Sequence, residues 1–377
     1  MKEIGYLVFA FLYRIFKLFP VKRNSAFFIM THDGGREGNA AVTAAYMKRV
    51  YHTKLRVLRR KDTSFDGKVG LKRAFCFFFV KPWEMARSEY IFMDNAFLPM
   101  AYLRVRKETI VVQLWHGTGT VKKFGQHVNK GKLYEQEKRA NENLDYVIVN
   151  SDATRELYAE CFSVDVSQVK VLGLPRTDLL FSKKGLEQRR ADFLKEYPEL
   201  EHKKLILYAP TFRDSEAANP KVQMDIEKMA RELPKEYRLG LRLHPFVARN
   251  FQLNDNYGGR VYDFSDYGNI NTLLFSSDVL ITDYSSIIFE YCVLERPMIF
   301  YAYDLEEFSN DGRGFYRNYE EYVPGPVVRK TEEILKVIKE KDWKEEKRQA
   351  FYEESYAYTD GNSTKRVVEF VVKKDKK

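Results

Sequence analysis

Two histidines and a pair of serines stand where such side chains can move a proton and hold a phosphate. His116 lies in Gln113 to Gly119, QLWHGTG, where an apolar strand ends and a small-residue turn begins. Strand ends of this kind face the ligand crevice of an open α/β sheet. An imidazole, with an ordinary pKa of about 6.5, can take a proton from an attacking hydroxyl near neutral pH. Gly117 and Gly119, with Lys122 and Lys123 beyond, favour function over a purely structural histidine. Arg242, His244 and Pro245 follow a second strand in LRLHPF. Arg and His two positions apart emerge on one face of a strand and suit a diphosphate; the plainer alternative is a strand end stopped by proline.

The segment Val279 to Tyr301, VLITDYSSIIFEYCVLERPMIFY, reads as strand, polar turn, helix and strand. Ser285 and Ser286 fall where the helix begins, so their hydroxyls and the first-turn amides can hold a phosphate oxygen. Glu290, one turn later, can accept hydrogen bonds from sugar hydroxyls. Taken alone, Ser285 reads more simply as a helix cap. Weaker signals are YAPTFRD at Tyr208 to Asp214, VLGLPRTD at Val171 to Asp178, and Gly34, Gly35 and Gly38 in THDGGREGNA, which fits neither GxGxxG nor a Walker sequence. With no D-x-D, no H-E-x-x-H and no cluster of His and Cys, neither a metal nor another cofactor is indicated.

These groups need a scaffold that presents strand ends. Short β-branched and aromatic runs alternate with longer helical patterns, the rhythm of βαβ units in an α/β fold. Strands are expected at Ser25 to Thr31, Lys54 to Arg60, Tyr90 to Met93, Thr109 to Trp115 and Asp145 to Asn150. A second set is expected at Lys204 to Tyr208, Tyr237 to Leu241, Val279 to Thr282 and Pro297 to Tyr301. The polar, charged stretch from Pro175 to Lys204 reads as a linker, which places the domains at residues 1–183 and 184–377. The tail from Thr331, rich in Lys and Glu at helical spacing, would cap the second domain or cross back to the first.

Apolar residues make up 45% of the 377-residue chain and charged residues 31%, enough to bury two cores and too little charge for a largely disordered protein. A net charge of +10 points to anionic partners. No aromatic RNA-binding motif or basic recognition helix accompanies it, so nucleic-acid binding is the weak alternative. Cys76, Cys161 and Cys292 form no paired spacing, which fits a reducing compartment. The apolar run Ile4 to Tyr13 is cut by Arg14 and Lys17, about half the ~20 residues that a membrane-spanning helix needs. It is an interfacial helix or a helix packed on its own domain. Lys68 to Trp83, KVGLKRAFCFFFVKPW, is a second basic and aromatic stretch with the same two readings.

Together these segments resemble the CDP-glycerol glycerophosphotransferase family of wall teichoic acid primases and polymerases. Its W-H-G-T pattern is similar to Trp115 to Thr118, its APTFR to Ala209 to Arg213, its R-x-H-P to Arg242 to Pro245, and its longest signature to TDYSSIIFEY with RPMIFYAYDLEEF and RGFY behind it. Where the family usually has proline after W-H-G-T, Gly119 stands here.

The resemblance implies a GT-B-like pair of Rossmann-like domains facing a cleft, with acceptor on the first and nucleotide on the second. It implies His116 as base, His244 on the donor phosphates and Glu290 on the ribose. Arg176, Thr211, Arg242, Ser285 and Ser286 match donor-contacting positions, and Trp115, Gly117, Thr118 and Pro210 complete the substrate-binding set. The implied reaction transfers glycerol phosphate from CDP-glycerol to an undecaprenyl-diphosphate-linked disaccharide or polymer and releases CMP, with the enzyme peripheral on the cytoplasmic side of the cell membrane against anionic lipid. The chain's length favours a primase-like or short-chain enzyme. A CDP-ribitol donor, a capsular acceptor, or a sugar-nucleotide glycosyltransferase of the same fold are the neighbouring possibilities.

Overall fold

A computed structural model describes residues 2–32, 35–64, 70–213, 221–253, 257–311 and 314–374. Gly34, Lys68, Asp214 and the Arg of RGFY, all named above, lie outside the described residues. The chain divides into two units. The first comprises 1–119, 124–178 and 356–377, the second 120–123 and 179–355.

The first unit carries six parallel strands: β1 (Lys22–Met30), β2 (Lys54–Arg59), β3 (Ser88–Met93), β4 (Ile110–Gln113), β5 (Tyr146–Val149) and β6 (Val169–Val171), in the order β2-β1-β3-β4-β5-β6. All of β3 and the last six residues of β1 are buried. Within them residues 26–30 and 90–93 read as continuous apolar runs because helices cover both faces of a parallel sheet. Helices α1 (Lys2–Phe16), α2 (Asn39–Tyr51), α3 (Gly70–Phe75) and α4 (Lys81–Ala86) belong here, with a π-helical turn Cys76–Val80 joining the last two.

The second unit carries β7 (Lys204–Tyr208), β8 (Tyr237–Leu241), β9 (Val261–Asp263), β10 (Val279–Thr282), β11 (Met298–Tyr301) and β12 (Val327–Val328), in the order β12-β11-β10-β7-β8-β9. Counted within the unit this is the Rossmann order, and it reverses between β7 and β10. The loops after those two strands are APTFR and DYSS.

The nine expected strands are all present. The three the sequence reading omits, β6, β9 and β12, are two or three residues long and lie at sheet edges. So few residues carry no periodicity to read.

One expectation about organisation changes, and the two alternatives for the tail both hold, each for a different part of it. The stretch expected to be a linker contains a 14-residue helix, Lys183–Glu196, whose Ser182 cap accepts through its hydroxyl from Gly185 N at 3.2 Å. Its Phe193 is buried, and Arg190 bonds to the Ser276 carbonyl of the second unit. The tail splits: Thr331–Glu340 packs in the second core, while Ser363–Lys374 returns to the first, where Val367, Val368 and Val371 are fully buried with Phe28, Phe92 and Ile148. Asp178 caps that last helix, accepting from Ser363 N at 2.7 Å and Thr364 N at 2.8 Å. Gly173, at φ +76°, makes room, since a Cβ there would lie 2.3 Å from Ser363 Oγ.

Candidate active site

Each unit holds one group of the sequence-derived residues. In the first, His116 follows β4 and is half-buried. Its Nδ1 lies 2.9 Å from the Asp94 carbonyl oxygen. A carbonyl can only accept, so Nδ1 carries the hydrogen and the lone pair of the neutral ring sits on Nε2. His32, two residues beyond β1, stacks on His116 at 3.6 Å between centroids and 5° between planes. The Asp94 carboxylate in turn accepts from Thr31 N (2.9 Å) and His32 N (3.3 Å), so one residue after β3 fixes both rings.

Trp115 holds the approach to this ring. It sits at φ +53°, a left-handed conformation that costs a non-glycine residue about 1–2 kcal/mol. Its indole packs on His116, Phe124 and Phe162. Asn39 at the start of α2 donates to the Leu114 and Trp115 carbonyls, and its own side-chain oxygen accepts from Arg176 N. Arg176 Nη1 donates to the His116 carbonyl at 2.6 Å. Arg176 therefore braces the His116 turn, together with half-buried Gly117 and buried Thr118.

In the second unit the loops after β7, β8 and β10 converge. Asp283, 1% exposed, accepts from Thr211 N (2.9 Å) and Tyr284 N (2.6 Å) and pairs with Arg213 Nη1 at 2.9 Å. Arg213, 5% exposed, also bonds Asp304 through Nε (2.7 Å) and Nη2 (2.9 Å), and Asp304 takes the Tyr284 hydroxyl. Burial alone would lower the guanidinium's pKa, but its Asp304 hydrogen bonds and the Asp283 charge raise it instead. Burial, then Asp304, pushes the Tyr284 phenol up as well. Arg213 of APTFR is thus the tie between the two loops at the switch point.

His244 is exposed and stacks on Phe212 at 4.3 Å. Its Nδ1 accepts from Phe246 N at 3.4 Å, which leaves the hydrogen on Nε2. Pro210, Thr211 and His244 line a small cavity, and the buried Thr211 Oγ1 has no hydrogen-bond partner among the described residues. Ser285 Oγ accepts from Ile287 N at 3.4 Å, partly the capping role anticipated for it. Ser286 is exposed and makes no side-chain cap. The helix behind them, Ile287–Cys292, is only six residues long, so its dipole adds little and the hydroxyls are what remains to offer. Glu290 on that helix is buried.

Arg242 departs from the picture of a cation aimed outward beside His244. Its Nη1 donates to the carbonyls of Phe264 (2.8 Å), Ser265 and Tyr267 (2.8 Å), and burial lowers its pKa. It orders the loop after β9. His32, Asp94, Asp283 and Asp304 are absent from the sequence-derived set. Three of them directly follow, or lie within two residues of, a strand end, the same signal that singles out His116. Among the described residues no group of His, Cys, Asp or Glu clusters so as to hold a metal.

Residues 11–373 match the model of the CDP-Glycerol:Poly(glycerophosphate) glycerophosphotransferase family. The chain belongs to that family. Relatives within it include a teichoic acid poly(ribitol-phosphate) polymerase of Bacillus spizizenii, 34% identical over 99% of this chain and 60% of its own length. A teichoic acid glycerol-phosphate primase of Bacillus subtilis is 32% identical over 76% of this chain and 74% of its own length. The chain spans 60% and 55% of the length of two ribitol-phosphate polymerases that it matches. The wall teichoic acid polymerase TagF superposes with a TM-score of 0.81 at 24% identity, over 97% of this chain and 93% of that one. The same protein has been solved as a histidine-to-asparagine variant with CDPG. A UDP-GlcNAc 2-epimerase from Neisseria meningitidis superposes less closely, at 0.60 and 12% identity over 93% of this chain and all of that one. The family is thus one of teichoic acid transferases with glycerol-phosphate and ribitol-phosphate members, and the fold is GT-B-like with two parallel six-stranded sheets.

Proposed function

We propose that this protein transfers glycerol phosphate from CDP-glycerol to a hydroxyl of a lipid-linked teichoic acid precursor and releases CMP. The observation that carries the reading is the contact between His116 Nδ1 and the Asp94 carbonyl, because it leaves a basic Nε2 at a strand end. The acceptor oxygen bonds to the β-phosphorus as the phosphoanhydride bond to CMP breaks. His116 Nε2 takes the acceptor's proton, and CMP departs as an anion. His244 Nε2–H, the Ser285 and Ser286 hydroxyls and Thr211 Oγ1 supply hydrogen bonds to the phosphates as charge moves onto the leaving group. Glu290 receives the ribose hydroxyls. Arg176 serves by holding the turn that carries His116, and Arg242 by ordering the loop after β9, whose Ser265 Oγ accepts from Leu243 N beside His244.

A CDP-ribitol donor is the second reading, supported by relatives named as ribitol-phosphate polymerases at 34% identity. Purified protein offered CDP-glycerol and CDP-ribitol separately, each with a lipid-linked disaccharide, decides by product mass. Glycerol phosphate addition is the expected product. Ribitol phosphate addition alone would replace the donor, and CMP from neither donor would overturn the transfer. The number of units added distinguishes priming from polymerisation.

The reading includes contact with an anionic membrane surface. Among the described residues no helix is long and apolar enough to cross a membrane. α1 is two-sided: Phe9, Ala10 and Tyr13 are buried, whereas Ile4, Leu7 and Phe11 are 65%, 51% and 61% exposed. Leu71, Phe75 and Phe79 on α3 and the π-helical turn are exposed as well, with Phe77 turned inward. Arg14 and Lys17, which cut the apolar run, donate to the Tyr102 and Arg104 carbonyls and staple the helix down. Deleting α1 would therefore strip core, so the test is Phe11→Glu with Phe75→Glu. Loss of sedimentation with anionic vesicles at low salt, at an unchanged melting temperature, is expected; unchanged sedimentation would remove this surface from the account.

A further inference from the structure

The first unit carries a half-open cavity of about 620 Å³, large enough for a ligand of several tens of atoms. Its lining mixes two chemistries. Tyr6 of α1, Phe77 and Phe78 of the π-helical turn, and Phe97 supply aromatic lining, with Phe77 and Phe97 held against buried Phe9 at 5.2 and 5.5 Å. Thr31, Arg60 and Asn95, just past the ends of β1, β2 and β3, supply polar lining. The strand order reverses between β1 and β3, the position at which open α/β sheets bind ligands. Thr31 N and the His116 ring are joined through a single residue, Asp94. Thr31 Oγ1 is buried and has no hydrogen-bond partner among the described residues, a cost that a ligand group could relieve.

A purely apolar ligand would leave the polar lining unpaired, and a small polar metabolite would leave the aromatic lining bare. We propose that this cavity receives the acceptor, an amphiphile whose lipid chain lies against α1 and the π-helical turn. Its phosphate-bearing sugar head meets Thr31, Arg60 and Asn95 beside His116. This rests on the transfer reaction proposed above, and it assigns that reaction's second substrate a place separate from the loops of the second unit.

Two substitutions test it without touching the reacting groups. A Cβ at Gly5 would meet only the Phe78 ring at 3.5 Å, an ordinary contact, so Gly5→Leu should fold and fill the apolar part. Thr31→Val removes a hydroxyl that no described protein group uses. Transfer from CDP-glycerol is measured onto a lipid diphosphate disaccharide and onto a water-soluble disaccharide phosphate lacking the chain. Gly5→Leu should raise KM severalfold for the lipid acceptor alone. Thr31→Val should raise KM for both acceptors roughly three- to tenfold, the worth of one hydrogen bond, at an unchanged melting temperature and donor KM. Wild-type protein that modifies neither acceptor would overturn the transfer reaction itself. Wild-type transfer with unaltered acceptor KM in both variants would overturn only the cavity assignment. So would a KM change in Gly5→Leu that merely tracks its loss of binding to anionic vesicles.

Discussion

The two units solve the problem of placing a histidine in opposite ways. In the first, His116 is held by its own Nδ1–H on a backbone carbonyl and by a second imidazole stacked on its face, next to a tryptophan in a strained conformation. In the second, His244 is exposed and accepts a backbone N–H at Nδ1. The firmness there comes from the buried Arg213, Asp283 and Asp304 network beneath the neighbouring loops. One ring therefore offers a lone pair at Nε2 and the other a hydrogen. A proton acceptor must not turn and must stay neutral, whereas a hydrogen-bond donor to phosphate tolerates exposure and gains from positive charge.

Breaking each half should leave a different signature. His116→Ala is expected to reduce kcat for CMP release by about 10²- to 10⁴-fold while donor affinity stays near wild type; a weakened donor affinity with normal kcat would reverse the two roles. Arg213→Met removes one member of a buried ion network and should cost about 3–5 kcal/mol of stability, read from denaturant unfolding. Unfolding like wild type would show that the network does not hold the loops. Arg242→Ala should lower the rate through the misplaced loop after β9 and cost about 1–3 kcal/mol of stability for the carbonyls left unpaired. Equal crystallographic order of residues 264–267 in wild type and variant would assign that loss to the phosphate instead. His32→Ala should lower kcat roughly two- to tenfold, as expected for one lost aromatic stack, and His32→Phe should restore most of it. Failure of phenylalanine to rescue would mean that His32 contributes its nitrogens, not its face.

What was legible in the sequence follows the same division. Strands of four or more residues are flanked by turn residues and read correctly, so His116, His244, Ser285 and Ser286 are found at the ends of the strands expected for them. Position at a strand end says nothing about where a side chain turns. Arg242 and His244 share a face by spacing, yet the guanidinium goes to three carbonyls of residues 264–267, a loop brought near by tertiary structure alone. Asp283 sits in plain view within TDYSS, but its role depends on Arg213 and on the Thr211 amide, 70 and 72 positions away. The return of Ser363–Lys374 to the first unit is likewise set by a cap, Asp178, that lies 185 residues earlier. Lys183–Glu196 was hard to see because its helix buries little beyond Phe193 and is otherwise charged.

The account depends on His116 and His244 holding opposite tautomers, and nitrogen-15 NMR of histidine-labelled protein reads this directly. Single His→Gln variants would assign the signals of the six histidines. The expected spectrum at neutral pH shows His116 protonated at Nδ1 with an unprotonated Nε2, and His244 the reverse. His116 carrying its hydrogen on Nε2 would contradict the assignment of that ring as the base.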